Sequence, residues 1–180
     1  MQYPVKVFFA LALVLALSAS ASAKKMTIMS FSKGELPDDV KSCECAMSED
    51  NAEKQGDVSL KLSFEGKGWA GLDKPKKGAW KDYIKCRFNV FNPTDKPLEG
   101  FGFMIKGAKM KDTPDNRKDW NFTLKPGKNE LEVPLVGQIC NDGKSALDVS
   151  RLLRWCFWNN STDKLEVYVQ KIWLEDKDEK

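Results

Sequence analysis

The sequence predicts an all-β fold: two antiparallel sheets packed as a sandwich of about eight or nine strands. Three observations carry that expectation. Apolar residues recur at every second position, while helical spacing is almost absent. The apolar pieces have strand length and are punctuated by Gly, Pro, Asn and Asp, with no internal repeat or low-complexity linker. The segment 80–93, W-K-D-Y-I-K-C-R-F-N-V-F-N-P, is the clearest example: Ile84, Cys86, Phe88 and Val90 fall on one side of an extended chain, Lys85, Arg87 and Asn89 on the other. The first four are therefore core candidates, with Leu60, Leu62, Phe103, Val133 and Val167 around them.

In chain order, 25–32 and 40–47 read as the first two strands. Val58, Leu60, Leu62 and Phe64 alternate with Ser59, Lys61 and Ser63 in a third. The stretch 66–78, with four glycines and many lysines, reads as a loop. After the central strand, Asn92-Pro93-Thr94-Asp95 is a turn, because proline offers no N–H to a ladder. Phe101, Phe103 and Ile105 alternate up to Gly107, and the charged stretch 106–119 reads as an exposed loop. Residues 120–124 return to strand. Lys125-Pro126-Gly127-Lys128 has the residues of a type II turn, proline then glycine. Leu131, Val133 and Leu135 follow in period 2, with Pro134 pointing to an edge or a bulge. A short helical turn is expected over 145–150, then strands over 151–158 and 164–174 joined by the polar turn 159–163. In the last strand Leu165, Val167 and Val169 are odd and Ile172 and Leu174 even, so a β-bulge near Gln170-Lys171 must absorb one residue.

Residues 1–23 read as a signal peptide: Lys6, an apolar run over 7–17 too short to span a membrane, and a small-residue A-x-A site ending at Ala23. Cleavage there leaves a single domain, 24–175, and a charged tail, 176–180, secreted or periplasmic and without a membrane anchor. Of 29 basic residues only Lys6 is in the leader, so the mature chain has 28 against 26 acidic ones, a net charge of +2. That balance argues against a nucleic-acid binder.

All five cysteines follow the leader, an odd number, so at least one thiol stays free or pairs between chains. Cys43 and Cys45 are two residues apart in an extended stretch, roughly 7 Å, which disfavours a bond between them. At most two intramolecular disulfides are expected; Cys86 and Cys156 would pair if their strands lay side by side. The alternative is that several are buried apolar side chains. There is no histidine, which removes Ser-His and Cys-His catalysis and most transition-metal sites. Glu35, Glu65 and Glu99 are candidate catalytic carboxylates by residue type alone, nothing in the sequence brings two of them together, and no enzyme activity, metal or cofactor is expected.

Taken together, W-K-D-Y with its strand and N-P-T-D-K-P, F-T-L-K-P-G-K-N-E-L-E-V-P-L, S-R-L-L-R-W and L-E-V-Y-V-Q-K-I-W-L-E resemble a secreted jelly-roll domain related to carbohydrate-binding modules, a galactose-binding-like β-sandwich, over about residues 27–175. The resemblance implies a polysaccharide or glycan partner. It also implies a structural calcium ion held by an acidic residue of the last strand, where this chain has Gln170 beside Lys171.

Six tryptophans suit sugar recognition, since a flat apolar ring covers the C–H face of a pyranose, although tryptophan is also good core filling. Trp80 and Trp173 are assigned to the core or sheet ends. The ligand-binding candidates are Arg87 and Asn89, which point outward from the central strand; Arg154 and Trp158, which share one parity and would join that patch if their strand lies in the same sheet; and Trp120, with the loops near Trp69 and Trp120 as the other location. The expected function is an exported, non-catalytic glycan-binding domain. Its rival is a structural or protein-interaction domain of the same fold that binds a secreted protein partner.

Overall fold

The computed structural model describes residues 25–31, 40–41, 44–108 and 116–176. The leader, Glu35, Cys43 and residues 177–180 of the tail lie outside them. Eleven strands are present among the described residues: β1 (Lys25–Ser30), β2 (Val40–Lys41), β3 (Glu44–Ser48), β4 (Ser59–Phe64), β5 (Gly68–Asp73), β6 (Lys85–Asn92), β7 (Leu98–Gly107), β8 (Lys118–Leu124), β9 (Gly127–Pro134), β10 (Leu152–Asn159) and β11 (Leu165–Glu175). They form two antiparallel sheets of a jelly-roll sandwich. One has the order β3-β4-β11-β6-β9, with β1 also pairing β11, and the other the order β2-β5-β10-β7-β8.

Period 2 decides which side chains meet between the sheets. Cys86, Phe88 and Val90 of β6 are fully buried, as are Leu62, Phe103, Val133 and Val167, with Leu60 nearly so. Ile84, which precedes β6, is only half-buried and stands outside the core cluster. The bulge expected in β11 is present: Val169 pairs with Val90 and Lys171 with Asn89, so Gln170 is the extra residue. Pro134 ends β9, an edge strand, where a missing N–H costs no ladder bond.

Three turns carry the chain from one sheet to the other, and each is locked by a buried asparagine. After β6, Asn92 Nδ2 donates to the carbonyls of Lys96 (2.8 Å) and Leu124 (3.2 Å), and its Oδ1 accepts from the Thr94 N–H. Between β8 and β9, Asn129 Oδ1 accepts from the Lys125 N–H, and Nδ2 donates to the carbonyls of Lys125 and Gly127. Gly127 has φ of +80°, as the type II turn requires. Between β10 and β11, Asn159 Nδ2 donates to the carbonyls of Gly66 and Asp163 while Oδ1 accepts from the Ser161 N–H.

Four expectations need correction. The stretch 40–47 is split between two sheets, β2 in one and β3 in the other. The glycine-rich 66–78 contains β5, because Gly71 is needed there: a Cβ on it would lie 2.2 Å from the Trp155 carbonyl oxygen of the adjacent β10. Residues 145–150 form no helical turn; Asp142 caps the N–H groups of Lys144 and Ser145, and Ile139 bridges Ala146. Cys86 and Cys156 do not pair, since β6 and β10 belong to different sheets, and Cys86, Cys140 and Cys156 are free thiols.

Glu175, at the end of β11 and 8% exposed, receives the Trp173 indole N–H (2.8 Å) and faces Lys25 (3.3 Å), Lys85 (3.5 Å) and Arg87 (3.4 Å). Burial alone would raise its carboxyl, but the Trp173 N–H, Lys25 and Arg87 outweigh burial and hold it at about 2, below its ordinary 4.5. A depressed carboxyl stabilises the fold above the unfolded-state value and stops doing so as pH falls toward the folded one. The partners are partly solvated, so about 1–2 kcal/mol is the expected share. Glu175→Gln should therefore be less stable than wild type at pH 7 by that amount in urea unfolding, with the gap closing between pH 4.5 and 2. A gap that persists unchanged at pH 2 contradicts this.

Candidate functional site

The outer face of the five-stranded sheet carries three rows of side chains in register across β5, β10, β7 and β8. The first row is Trp69, Trp158, Gly102 and Asn121; the second is Gly71, Cys156, Met104 and Asp119; the third is Asp73, Arg154 and Lys106. Their odd-numbered neighbours on β10 and β7, Trp155, Phe157, Phe101, Phe103 and Ile105, fill the core on the inner face. On the outer face Trp69, Trp158, Cys156, Met104 and Arg154 of these rows, with Lys67, Arg117 and Asn160 beside them, line a cleft of about 460 Å³.

Glycine shapes this surface. A Cβ on Gly102 would lie 1.6 Å from Trp158 Nε1, so the indole of Trp158 occupies the space a side chain would take and packs against β7 there. The indole N–H pressed against the sheet is buried without a hydrogen-bond partner among the described residues, as is that of Trp155 in the core. Trp69 and Arg154 stand four residues apart along the β5–β10 pair, and they meet across the row that holds Gly71: the guanidinium carbon sits 4.6 Å from the indole centroid.

Each arginine of the cleft is fixed by an aspartate, Arg154 by one on the adjacent β5 and Arg117 by one at the start of β8. Arg154 makes a two-point ion pair with Asp73, Nε to Oδ1 and Nη2 to Oδ2, the latter at 3.0 Å. Arg117 uses Nε on Asp119 at 3.0 Å, and its guanidinium carbon lies 5.6 Å from the Trp158 ring centroid. Beneath them Cys156 is nearly inaccessible. Burial pushes its thiol up to about 12 despite nearby Arg154 and Arg117, so it is an apolar floor and not a nucleophile.

Of the residues the sequence singled out, Arg154 and Trp158 come together in this cleft. Arg87 and Asn89 do not join them: they lie on the outer face of the six-stranded sheet, across the whole sandwich, because β6 and β10 are in different sheets. There Arg87 faces Glu132 (3.5 Å) and Glu175 and lies 5.6 Å from the Trp173 ring. Asn89 is 3% exposed and donates to Glu53 at 3.0 Å. Trp120 turns inward and stacks on Phe103, with centroids 6.4 Å apart. Trp80 is in the core as expected, while Trp173 lies on the outer face between Arg87 and Lys171. Sequence reasoning missed Arg117 and Gly102, and it put Trp69 in a loop. The alternation Trp69, Gly71, Asp73 against Ala70 and Leu72 was the available signal for β5.

No pair of carboxylates lines the cleft. Glu65 lies elsewhere, ion-paired to Lys164 at 2.7 Å, and Glu99 is exposed.

The residues around Gln170 do not fit the calcium ion that the resemblance implies. Gln170 Nε2 donates to the Asn51 carbonyl at 2.5 Å, which takes up one oxygen of the loop, and the buried oxygens left without a partner, Gln170 Oε1 and Asn89 Oδ1, are neutral amides where the resemblance implies a carboxylate. The nearby Glu53 carboxylate already accepts from Asn89 and lies 3.9 Å from Lys128. Calcium takes about six to eight oxygens, usually several of them carboxylates. Among the described residues no three His, Cys, Asp or Glu side chains converge. The two amide hydrogen bonds fasten the loop 49–57 to the sheet instead. Calcium or EDTA should leave the thermal midpoint unchanged, whereas Gln170→Ala should lower stability by about 1 kcal/mol. A midpoint that rises with calcium contradicts this.

No protein-family model matches the sequence, and no curated protein matches it. Solved structures match in fold. The Family 11 carbohydrate-binding module from Clostridium thermocellum, in complex with a β-1,3-1,4-mixed-linked tetrasaccharide, superposes with a TM-score of 0.63 at 17% identity, covering 86% of this chain and 96% of the module. A Family 29 carbohydrate-binding module complexed with mannohexaose gives 0.51 at 9% identity, covering 86% and 92%. An exo-β-agarase gives 0.67 at 9% identity over 84% of this chain, which spans only 25% of that enzyme. At these identities the likeness is one of fold, that of carbohydrate-binding-module β-sandwiches.

Proposed function

We propose that this chain is an exported, non-catalytic glycan-binding domain whose site is the cleft on the outer face of the five-stranded sheet. The observation that carries the reading is the Trp158 indole seated in the space left by Gly102, with Trp69 at the facing position of the neighbouring strand. Flat indoles set into a sheet present apolar area to the C–H face of a sugar at little entropic cost, and fixed guanidinium N–H groups beside them take oxygen acceptors in a defined geometry. The non-catalytic reading rests on the cleft's chemistry: glycoside hydrolysis uses two carboxylates flanking the bond, and none lines it. Export is proposed from the leader 1–23. The tetrasaccharide and mannohexaose bound by structures with the same fold support the ligand class.

A protein-interaction role has one observation in its favour: Val136 (63% exposed) and Ile139 (44%) are large apolar side chains in the loop after β9, away from the cleft lining. A glycan array probed with wild type and Trp158→Ala separates the two. Saturable binding lost in Trp158→Ala supports the glycan reading. A blank array, with a protein co-purifying through Val136 and Ile139, supports the other.

A further inference from the structure

We propose, building on the glycan reading above, that the ligand is an anionic polysaccharide, one carrying carboxylate or sulfate groups. The cleft is rich in hydrogen-bond donors and poor in acceptors. Lys67, Arg117 and Arg154 line it, and no aspartate or glutamate does; Asp73 and Asp119 stand behind the arginines and engage them. Arg117 spends Nε on Asp119, which leaves its terminal N–H groups without a hydrogen-bond partner among the described residues. Lys67 is exposed and its ammonium pairs with nothing among the described residues.

The lining acceptors are almost all used. Asn159 Oδ1 takes the Ser161 N–H, and Asn160 Nδ2 is committed to Asn121, so Asn160 Oδ1 is the one lining side-chain amide oxygen left over. A neutral sugar offers hydroxyls that must donate as well as accept, and here they would find few acceptors. Carboxylate and sulfate oxygens only accept, and a guanidinium fork and an ammonium match them with charge-assisted bonds. The stacking rings bind the sugar ring, and the cations select its charged substituent.

The test is affinity electrophoresis and calorimetry with polygalacturonate, dextran sulfate, uncharged dextran, mixed-linkage β-glucan and single-stranded DNA. The proteins are wild type, Lys67→Gln, Arg117→Gln and Trp158→Ala. Lys67 is exposed, so its replacement leaves the fold intact. The expected result is binding of a carboxylated or a sulfated polymer, the preferred one identifying the group, at least about tenfold tighter than the uncharged ones. Arg117→Gln should weaken it roughly tenfold and Lys67→Gln severalfold. Salt should weaken it too, and Trp158→Ala should abolish it.

If an uncharged polymer binds equally well, is insensitive to Lys67→Gln and is lost in Trp158→Ala, the charge selectivity falls while the glycan site stands. If DNA binds as tightly as the glycans, or Trp158→Ala retains the anionic polymers, binding is only polyanion attraction and the proposal is overturned. If no polymer binds, the glycan reading itself is overturned.

Discussion

Phe88→Ala is expected to destabilise the domain by about 3–5 kcal/mol, through lost burial and an unfilled cavity. Phe88 is the point where the six-stranded sheet reaches into the aromatic cluster of the other. Its ring is fully buried and lies 4.9 Å from Phe103, 5.2 Å from Phe157 and 5.7 Å from Phe122, centroid to centroid. All three partners belong to the five-stranded sheet, so the truncation removes contacts between layers that no neighbour on β6 can replace. Close packing leaves little room to collapse. Urea unfolding measures the loss, and a midpoint equal to wild type contradicts the assignment.

The second large effect falls on binding and spares the fold. Gly102→Ala puts a Cβ where Trp158 Nε1 now lies, 1.6 Å away, so the indole must lift off the sheet. The clashing group is a side chain at the cleft, which can swing outward, and no backbone or core ring lies as close. The expected outcome is a thermal midpoint near that of wild type together with a loss of glycan affinity of about 2 kcal/mol or more, roughly thirtyfold, as for an anchor aromatic displaced from its seat. Calorimetry on both proteins measures this. Undiminished affinity would show that the indole seated on β7 is not the platform.

The faces of the strands were legible in the residues because period 2 is a local property. The inward set Cys86, Phe88 and Val90, the shared parity of Arg154 and Trp158, and the odd-to-even slip in β11 all read directly from spacing. Sheet membership was not legible. Alternation says which way Arg87 and Trp158 point relative to their own strands, but pairing across 93 residues, such as Asn159 with the carbonyl of Gly66, decides that they end on opposite sides of the molecule.

Glycine misled for a related reason. In 66–78 it looks like loop composition, yet Gly71 serves a close approach of two strands, and Gly102 sits in an apolar run with nothing local to show that an indole 56 residues on would need its space. Trp120 was misplaced because its polar flanks, Asp119 and Asn121, mark the outer side of β8, while the ring between them turns in to Phe103.

The most direct measurement is a heteronuclear NMR titration of the six tryptophan indole N–H signals with a soluble oligosaccharide of the polymer the domain binds. The site proposed here predicts saturable shifts of the Trp69 and Trp158 signals, with Trp80, Trp155 and Trp173 unmoved. Shifts confined to Trp173, beside Arg87 on the opposite sheet, with Trp69 and Trp158 silent, would contradict it.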